Sequence, residues 1–249
     1  MATERAVGPA LASLRHRLVV SCQAPHGHPL RSPSVIARIA ASVVAAGGAG
    51  VRIDSPEHII EVKRTVDATV IGLWKAEGDG VYITPTMEHA RAVAEAGADI
   101  VAIDGTGRAR PDDRDLMSVI RLLHTELGAV VLADVGTVAE GVAAAACGAD
   151  AVATTLAGLT GEPLGQDGPA LDTVAALAAR LDVPVIAEGG ITSPAQAREA
   201  LEAGAWCVVV GKAITSPDWI TARYVETMDG RAAVAQEVVA SGQAESSQT

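Results

Sequence analysis

Residues 95–101 read Glu95-Ala96-Gly97-Ala98-Asp99-Ile100-Val101. The same grammar returns as Ala146-Cys147-Gly148-Ala149-Asp150-Ala151-Val152 and as Glu202-Ala203-Gly204-Ala205-Trp206-Cys207-Val208. Each copy ends a small-residue helix on glycine, which accepts the left-handed backbone of a helix C-terminus, and then enters an apolar run. Gly97, Gly148 and Gly204 lie 51 and 56 residues apart, the length of two βα units each. Gly48-Ala49-Gly50-Val51 reads as a further copy, 49 residues before Gly97.

Outward from these copies, eight short apolar runs alternate with Ala-rich helical stretches. They are Leu18–Ser21, Gly50–Ile53, Val70–Trp74, Ile100–Ile103, Val130–Ala133, Ala151–Thr154, Val185–Ala187 and Cys207–Val210. Gly, Pro or polar residues bound each run, as expected of strands buried on both faces. Helix starts are legible too. Ser34 to Ala46 follows Pro33, and Ser55-Pro56-Glu57, Thr84-Pro85 and Ser193-Pro194 each offer an N-cap with proline in the first turn. Thr137 precedes Glu140 in capping-box spacing. Repeats of this length also occur in solenoids, but eight βα units without capping repeats predict a closed (β/α)8 TIM barrel of the phosphate-binding type. A doubly wound sheet would need a Gly-x-Gly-x-x-Gly turn after its first strand, and this chain has none. The expectation is a single domain over 1–249, with the barrel at about 18–226, a lead-in at 1–17, and a C-terminal helix and frayed tail at 227–249.

Composition narrows the function. The 249 residues are 49% hydrophobic yet contain no Phe, so the core is built from Ala, Val, Ile and Leu. A formal charge of -11 lacks the basic face that nucleic-acid phosphates require, and it disfavours an anionic membrane surface. Met1–Arg17 has no continuous apolar run, so no secretory leader is expected, and no stretch reaches the roughly 18 to 20 apolar residues of a membrane span. Cys22, Cys147 and Cys207 are odd in number and widely spaced, against both a disulfide framework and a zinc site. A cytoplasmic protein is the expectation. His26-Gly27-His28 has no third ligand nearby, and no metal or cofactor is expected; His16, His58, His89 and His124 are expected to face solvent.

In such barrels the chemistry sits at the C-terminal ends of the strands. In order, those ends carry Ser21, Cys22 and Gln23; Arg52 and Asp54; Lys75; Asp104; Asp134; Thr154 and Thr155; Glu188 with Gly189-Gly190; and Gly211-Lys212. So polar a rim is unnecessary for a purely structural barrel. The glycines after strands seven and eight allow backbone N–H groups to approach an anion, and Lys212 adds a positive charge to this candidate phosphate cradle. Lys75 leaves the apolar run Val70–Trp74 at the barrel mouth, where desolvation lowers a lysine pKa. Glu188 is the matching acid for two-sided proton transfer. Arg108 and Arg110, after strand four, either reach a substrate or pair with Asp112 and Asp113.

These residues resemble the N-acetylmannosamine-6-phosphate 2-epimerases. The likeness is carried by Ser21-Cys22-Gln23-Ala24, Gly50-Val51-Arg52, Ile71-Gly72-Leu73-Trp74-Lys75 and Tyr82-Ile83-Thr84-Pro85-Thr86. It continues through Asp104-x-Thr106-x-Arg108-x-Arg110-Pro111, Ala133-Asp134, Thr154-Thr155-Leu156-x-Gly158 and Ala187-Glu188-Gly189-Gly190-Ile191, over about residues 18–226. The resemblance implies a cytosolic, cofactor-independent barrel isomerase, a homodimer in its family, that interconverts N-acetylmannosamine 6-phosphate and N-acetylglucosamine 6-phosphate in amino-sugar and sialic-acid catabolism. Lys75 and Glu188 match its catalytic pair, and Gln23, Arg52 and Asp134 its substrate-binding side chains. Tyr82, Thr84 and Arg108, within matching motifs, join them as candidate substrate contacts. Gly189, Gly190, Gly211 and Lys212 are the candidate phosphate contacts. The chain departs from the family pattern at Asp54 (usually Asn), Ala76 (usually basic), Gly136 (usually Ser), Lys212 (usually small) and Ser216 (usually Arg). Two other readings stay open: a lyase that forms a Schiff base on Lys75, and a sugar-phosphate-binding barrel without turnover.

Overall fold

A computed structural model describes residues 7–76, 80–160 and 168–230. Eight parallel strands close on themselves in sequence order. They are β1 (Leu18–Cys22), β2 (Gly50–Asp54), β3 (Thr69–Leu73), β4 (Ile100–Asp104), β5 (Val130–Asp134), β6 (Ala151–Ala153), β7 (Val185–Glu188) and β8 (Cys207–Val210), with β8 pairing back onto β1 through Val19 and Val209. The outer helices are α2 (Pro33–Ala45), α3 (Pro56–Thr65), α4 (Met87–Glu95), α5 (Leu116–Leu127), α6 (Val138–Ala146), α7 (Leu171–Ala178) and α8 (Pro194–Glu202). A short α1 (Pro9–Ala12) precedes the barrel, and α9 (Lys212–Thr215) and α10 (Pro217–Met228) follow it. The expected tail beyond residue 230 lies outside the described residues.

Strand parity decides which side chains reach the mouth, because alternate residues point to opposite faces. Val20, Val51, Ile53, Val70, Val101, Ile103, Val131, Ala133, Val152, Ala187 and Val208 pack outward against the helices. Val19, Ile71, Leu73, Ile100, Ala102, Leu132, Ala151, Ala153, Ile186, Cys207 and Val209 fill the barrel. Counting on by twos along the inner face gives Ser21, Lys75, Asp104, Asp134, Thr155, Glu188 and Gly211 at the upper rim. Arg52, between outward Val51 and Ile53, also points inward, and Asp54 shares its parity. The lead-in has a role that periodicity did not reveal. Leu11 and Leu14 pack into the inner cluster, and Trp206 Nε1 donates to Leu11 O at 2.8 Å, so this segment plugs the lower end of the barrel.

The repeated Gly-Ala pieces at the helix ends are structural. Gly97, Gly148 and Gly204 adopt φ of 94°, 104° and 103°. Asp99 accepts from Val70 N and Asp150 from Val131 N, both at 2.8 Å, so each aspartate satisfies the first backbone donor of a neighbouring strand. In the earliest copy the left-handed residue is Gly47, not Gly48, one place upstream of the expected position. The capping box at Thr137 and Glu140 forms as read. The other capping expectations divide. Ser193 caps α8, but α4 starts at Met87 on the cap of Thr86 rather than Thr84, and Ser55 makes no side-chain cap. His58 is buried on α3 rather than solvent-facing, whereas His16 is exposed and His89 and His124 are half-buried.

Candidate active site

The centre of the mouth is an ion cluster contributed by three strands. Arg52 Nη1 meets Asp134 Oδ1 at 3.0 Å and Nη2 meets Oδ2 at 2.6 Å, a bidentate pair with both partners buried. Arg52 Nη1 also donates to Glu188 Oε2 in a short contact. Thr155 Oγ1 lies 2.5 Å from Asp134 Oδ1, 3.2 Å from Glu188 Oε2 and 3.3 Å from Arg52 Nη1. Arg52 and Asp134 therefore sit beneath the rim, and a substrate entering from above meets Glu188 first. Desolvation raises the Glu188 pKa above the ordinary carboxylate value, with Asp134 adding to it, while Arg52 and Lys75 oppose the rise.

Lys75 follows β3 on the inner face. No hydrogen bond or ion pair of its Nζ occurs among the described residues, and the side chain is reached by solvent. Its pKa is nonetheless lowered, first by the protein atoms crowding the funnel around it and second by Arg52, while Asp54, Glu188 and Asp134 act to raise it. The lysine is thus open above and crowded at the sides. Its backbone is fixed by a short antiparallel return: Lys75 bridges Ile83, Ala76 N donates to Tyr82 O, and Thr84 N to Trp74 O.

That return explains Thr84. Its φ of 47° is rare for a β-branched residue, and its hydroxyl accepts from Trp74 N at 3.1 Å and donates to Ala102 O at 2.7 Å. Fully buried, it pins the Lys75 hairpin and presents no exposed surface to a substrate. Tyr82, half-buried beside the inner cluster, carries a phenol whose pKa is raised by burial and then by Asp134. Gln23 Nε2 donates to Ser21 Oγ at 3.0 Å at the end of β1. Arg108 is held over the mouth by Asp104 Oδ2 at 2.5 Å, Thr106 Oγ1 at 3.1 Å and Gly80 O at 2.7 Å. Arg110 overturns both expectations made for it: among the described residues it neither reaches the mouth nor pairs with Asp112 or Asp113. It is buried, donating to the carbonyls of Asp104, Thr84 and Pro85, while Arg114 faces Asp112. Cys22 points outward and burial pushes its thiol up to about 12, so it is no nucleophile.

After β7, Gly189 and Gly190 turn with φ of 102° and 69° and are exposed, and Lys212 after β8 is exposed as well. A Cβ on Gly190 would lie 2.2 Å from Gly168 O, so glycine is required there. Gly211 lies over Ser21, whose Cβ would be 3.4 Å from an added Cβ. Gly136 stands where the family has serine because a Cβ would fall 2.0 Å from Thr160 Oγ1. Sequence reasoning missed Arg31. It comes from the loop after β1, lies buried, and its guanidinium ties Asp54, Ser55 and Ala24 together. No motif announced it, since its partners are distant in sequence. Among the described residues no group of three His, Cys, Asp or Glu side chains is arranged to hold a metal.

Fold and mouth together define a (β/α)8-barrel enzyme with a lysine and a carboxyl side chain at the strand ends of one mouth. Residues 36–230 match the family described as "Putative N-acetylmannosamine-6-phosphate epimerase", and the chain belongs to that family. It is 49% identical over 213 residues to the N-acetylmannosamine-6-phosphate 2-epimerase named in Cutibacterium acnes, covering 85% of this chain and 93% of that one. It is 46% identical over 225 residues to the protein of the same name in Synechococcus elongatus, covering 89% and 97%. The solved N-acetylmannosamine-6-phosphate 2-epimerase from Clostridium perfringens superposes with a TM-score of 0.85 at 31% identity, over 91% of this chain and all of that one.

Proposed function

We infer that the chain interconverts N-acetylmannosamine 6-phosphate and N-acetylglucosamine 6-phosphate by inverting C2, in amino-sugar and sialic-acid catabolism. The observation that carries this reading is the pairing, at one mouth, of an unpartnered Lys75 with a Glu188 whose pKa moves the opposite way. In the open-chain sugar the C1 aldehyde acidifies the C2 hydrogen, so the substrate supplies its own electron sink. One of Lys75 and Glu188 removes the proton and the other returns one on the opposite face. Charge developing on O1 needs a donor. Gln23, Tyr82 and Arg108 surround the entrance, whereas Arg52 has its Nη donors committed to Asp134 and Glu188 and acts by holding Glu188 in place. Gly189, Gly190, Gly211 and Lys212 form the phosphate end of the proposed site.

Incubation of substrate in deuterated water tests the reading. Product should gain deuterium at C2; turnover with full retention of protium would sink it, and binding without exchange would point to the barrel that lacks turnover. The free, low-pKa lysine also suits a Schiff-base lyase. Borohydride in the presence of substrate would trap that imine and should leave this protein unlabelled.

The same reading places the enzyme in the cytoplasm as a homodimer. No described helix is long and apolar enough to cross a membrane. The dimer is supported by α10, which buries none of its residues against the described chain and leaves Tyr224, Val225 and Met228 exposed. A sedimentation mass equal to one 25.2 kDa chain would overturn it.

A further inference from the structure

Three strand ends are stitched together beside Lys75 by one ion pair. Asp54 Oδ1 accepts the backbone N–H of Lys75 at 2.9 Å, and its Oδ2 accepts from Arg31 Nη1 at 3.1 Å. Arg31 Nη1 also donates to Ala24 O and Nη2 to Ser55 Oγ, both at 2.8 Å. The clamp thus spans the loop after β1, the end of β2 and the residue after β3. It also holds Ser55, whose φ of 81° is left-handed backbone that a serine seldom adopts. Arg31 and Asp54 are 11% and 5% exposed, so the pair is little screened by water.

We propose that Asp54, clamped by Arg31, is the positioning residue of Lys75, fixing the backbone from which the lysine projects and setting a carboxylate beside its free ammonium. Asp54 touches no reacting atom and acts through Lys75. The charged groups that face the ammonium are Asp54 and Arg52 from β2, Glu188 from β7 and Asp134 from β5; among the charges, Asp54 has the largest effect. Behind Asp54 stand Arg31 and the buried His58 of α3. Asparagine, the residue the family usually carries here, would keep an acceptor for the Lys75 N–H and remove the charge. Aspartate therefore gives this chain a lysine that holds its proton to higher pH than the neutral amide would.

The test reads Lys75 directly, because the chain has three lysines, Lys63, Lys75 and Lys212. Competitive acetylation of the intact protein across pH, followed by peptide mass spectrometry, gives the titration of Lys75 with the other two as internal references. Asp54→Asn should lower the Lys75 midpoint by about 1 unit, the lower end for loss of a close opposite charge. Arg31→Gln, which strips Asp54 of its cation, should raise it. Asp54→Ala, which also frees the backbone N–H, should lower kcat by about 10- to 100-fold with KM little changed. An unmoved Lys75 midpoint in both Asp54→Asn and Arg31→Gln overturns the proposal, as does an Asp54→Ala effect confined to KM. The inference rests on the epimerase reading only for its kinetic arm. If wild type shows no C2 exchange, that reading fails while the labelling arm still decides the role of Asp54.

Discussion

Arg52 and Asp134 close both of their hydrogen bonds beneath the barrel mouth, at 3.0 and 2.6 Å, with 1% and 0% of their side chains exposed. They stand 82 residues apart in the chain, on β2 and β5. Burying two charges is costly, and what offsets it is complete pairing. Glu188 and Thr155 also accept from Nη1, while Nε has no partner among the described residues. The cluster is thereby a rigid floor on which Glu188 is presented to the site.

Arg52→Met should consequently destabilise the protein by about 3–5 kcal/mol, the cost of leaving a buried charge without its partner. The double change Arg52→Met with Asp134→Leu should be less destabilised than the sum of the single changes, since no charge is left unpaired. Urea unfolding checks both. A loss below about 1 kcal/mol for the single change would show that the floor is not what holds the mouth together.

Lys75→Ala and Glu188→Ala should each lower kcat by about 10²- to 10⁴-fold, the usual contribution of a general acid or base. Lys75→Ala should leave stability unchanged, because Nζ has no partner among the described residues, and circular dichroism of both variants should match wild type. Activity within about threefold of wild type would remove that residue from the proton path.

The pH dependence follows from counting protons. Lys75 neutral with Glu188 protonated, and Lys75 charged with Glu188 ionised, are two arrangements of one proton on the pair, and epimerisation in opposite directions uses one each. Both directions should give bell-shaped kcat/KM profiles with common limbs. On the acid side activity is lost as the pair takes its second proton, and on the alkaline side as it loses its last. Glu188 is raised from 4.5 and Lys75 lowered from 10.5, so both limbs fall inside that interval. The Thr155 hydroxyl favours the Glu188 carboxylate, so Thr155→Val should move the limb governed by Glu188 to higher pH. Different limbs in the two directions would rule out a shared proton.

At the phosphate end, Lys212→Ala should raise KM about 10- to 150-fold, the worth of a charge-assisted contact of roughly 1.5 to 3 kcal/mol, with a smaller change in kcat. Ser216→Arg should partly rescue it by returning a cation to the site. Gly190→Ala, which cannot be accommodated against Gly168 O, should also raise KM. A Lys212→Ala KM within about twofold of wild type would assign the phosphate to backbone N–H groups alone.

Much of this was legible because it depends on local periodicity. Eight apolar runs, glycines such as Gly97 and Gly148 at helix ends, and the Thr137–Glu140 cap are short-range features, and they sufficed for a closed barrel with Lys75 and Glu188 at its rim. The misreadings are equally instructive. Thr84-Pro85 looks like Ser193-Pro194, yet Thr84 spends its hydroxyl on Ala102 O of the adjoining β4; and His58, on a helix with charged neighbours, is buried.

By itself the sequence determined the strand count, the inner-face parity that sends Arg52, Lys75, Asp134 and Glu188 to one mouth, and the chemistry those side chains permit. Only the tertiary structure decided which of them are free and which are committed. Arg52 is committed to Asp134 and Glu188, Thr84 to the backbone and Arg31 to Asp54, while Lys75 keeps an unpartnered Nζ. The reason is physical: closing the barrel brings strand ends tens of residues apart within hydrogen-bond reach, and in so crowded a cluster each charge is defined by its neighbours rather than by its type.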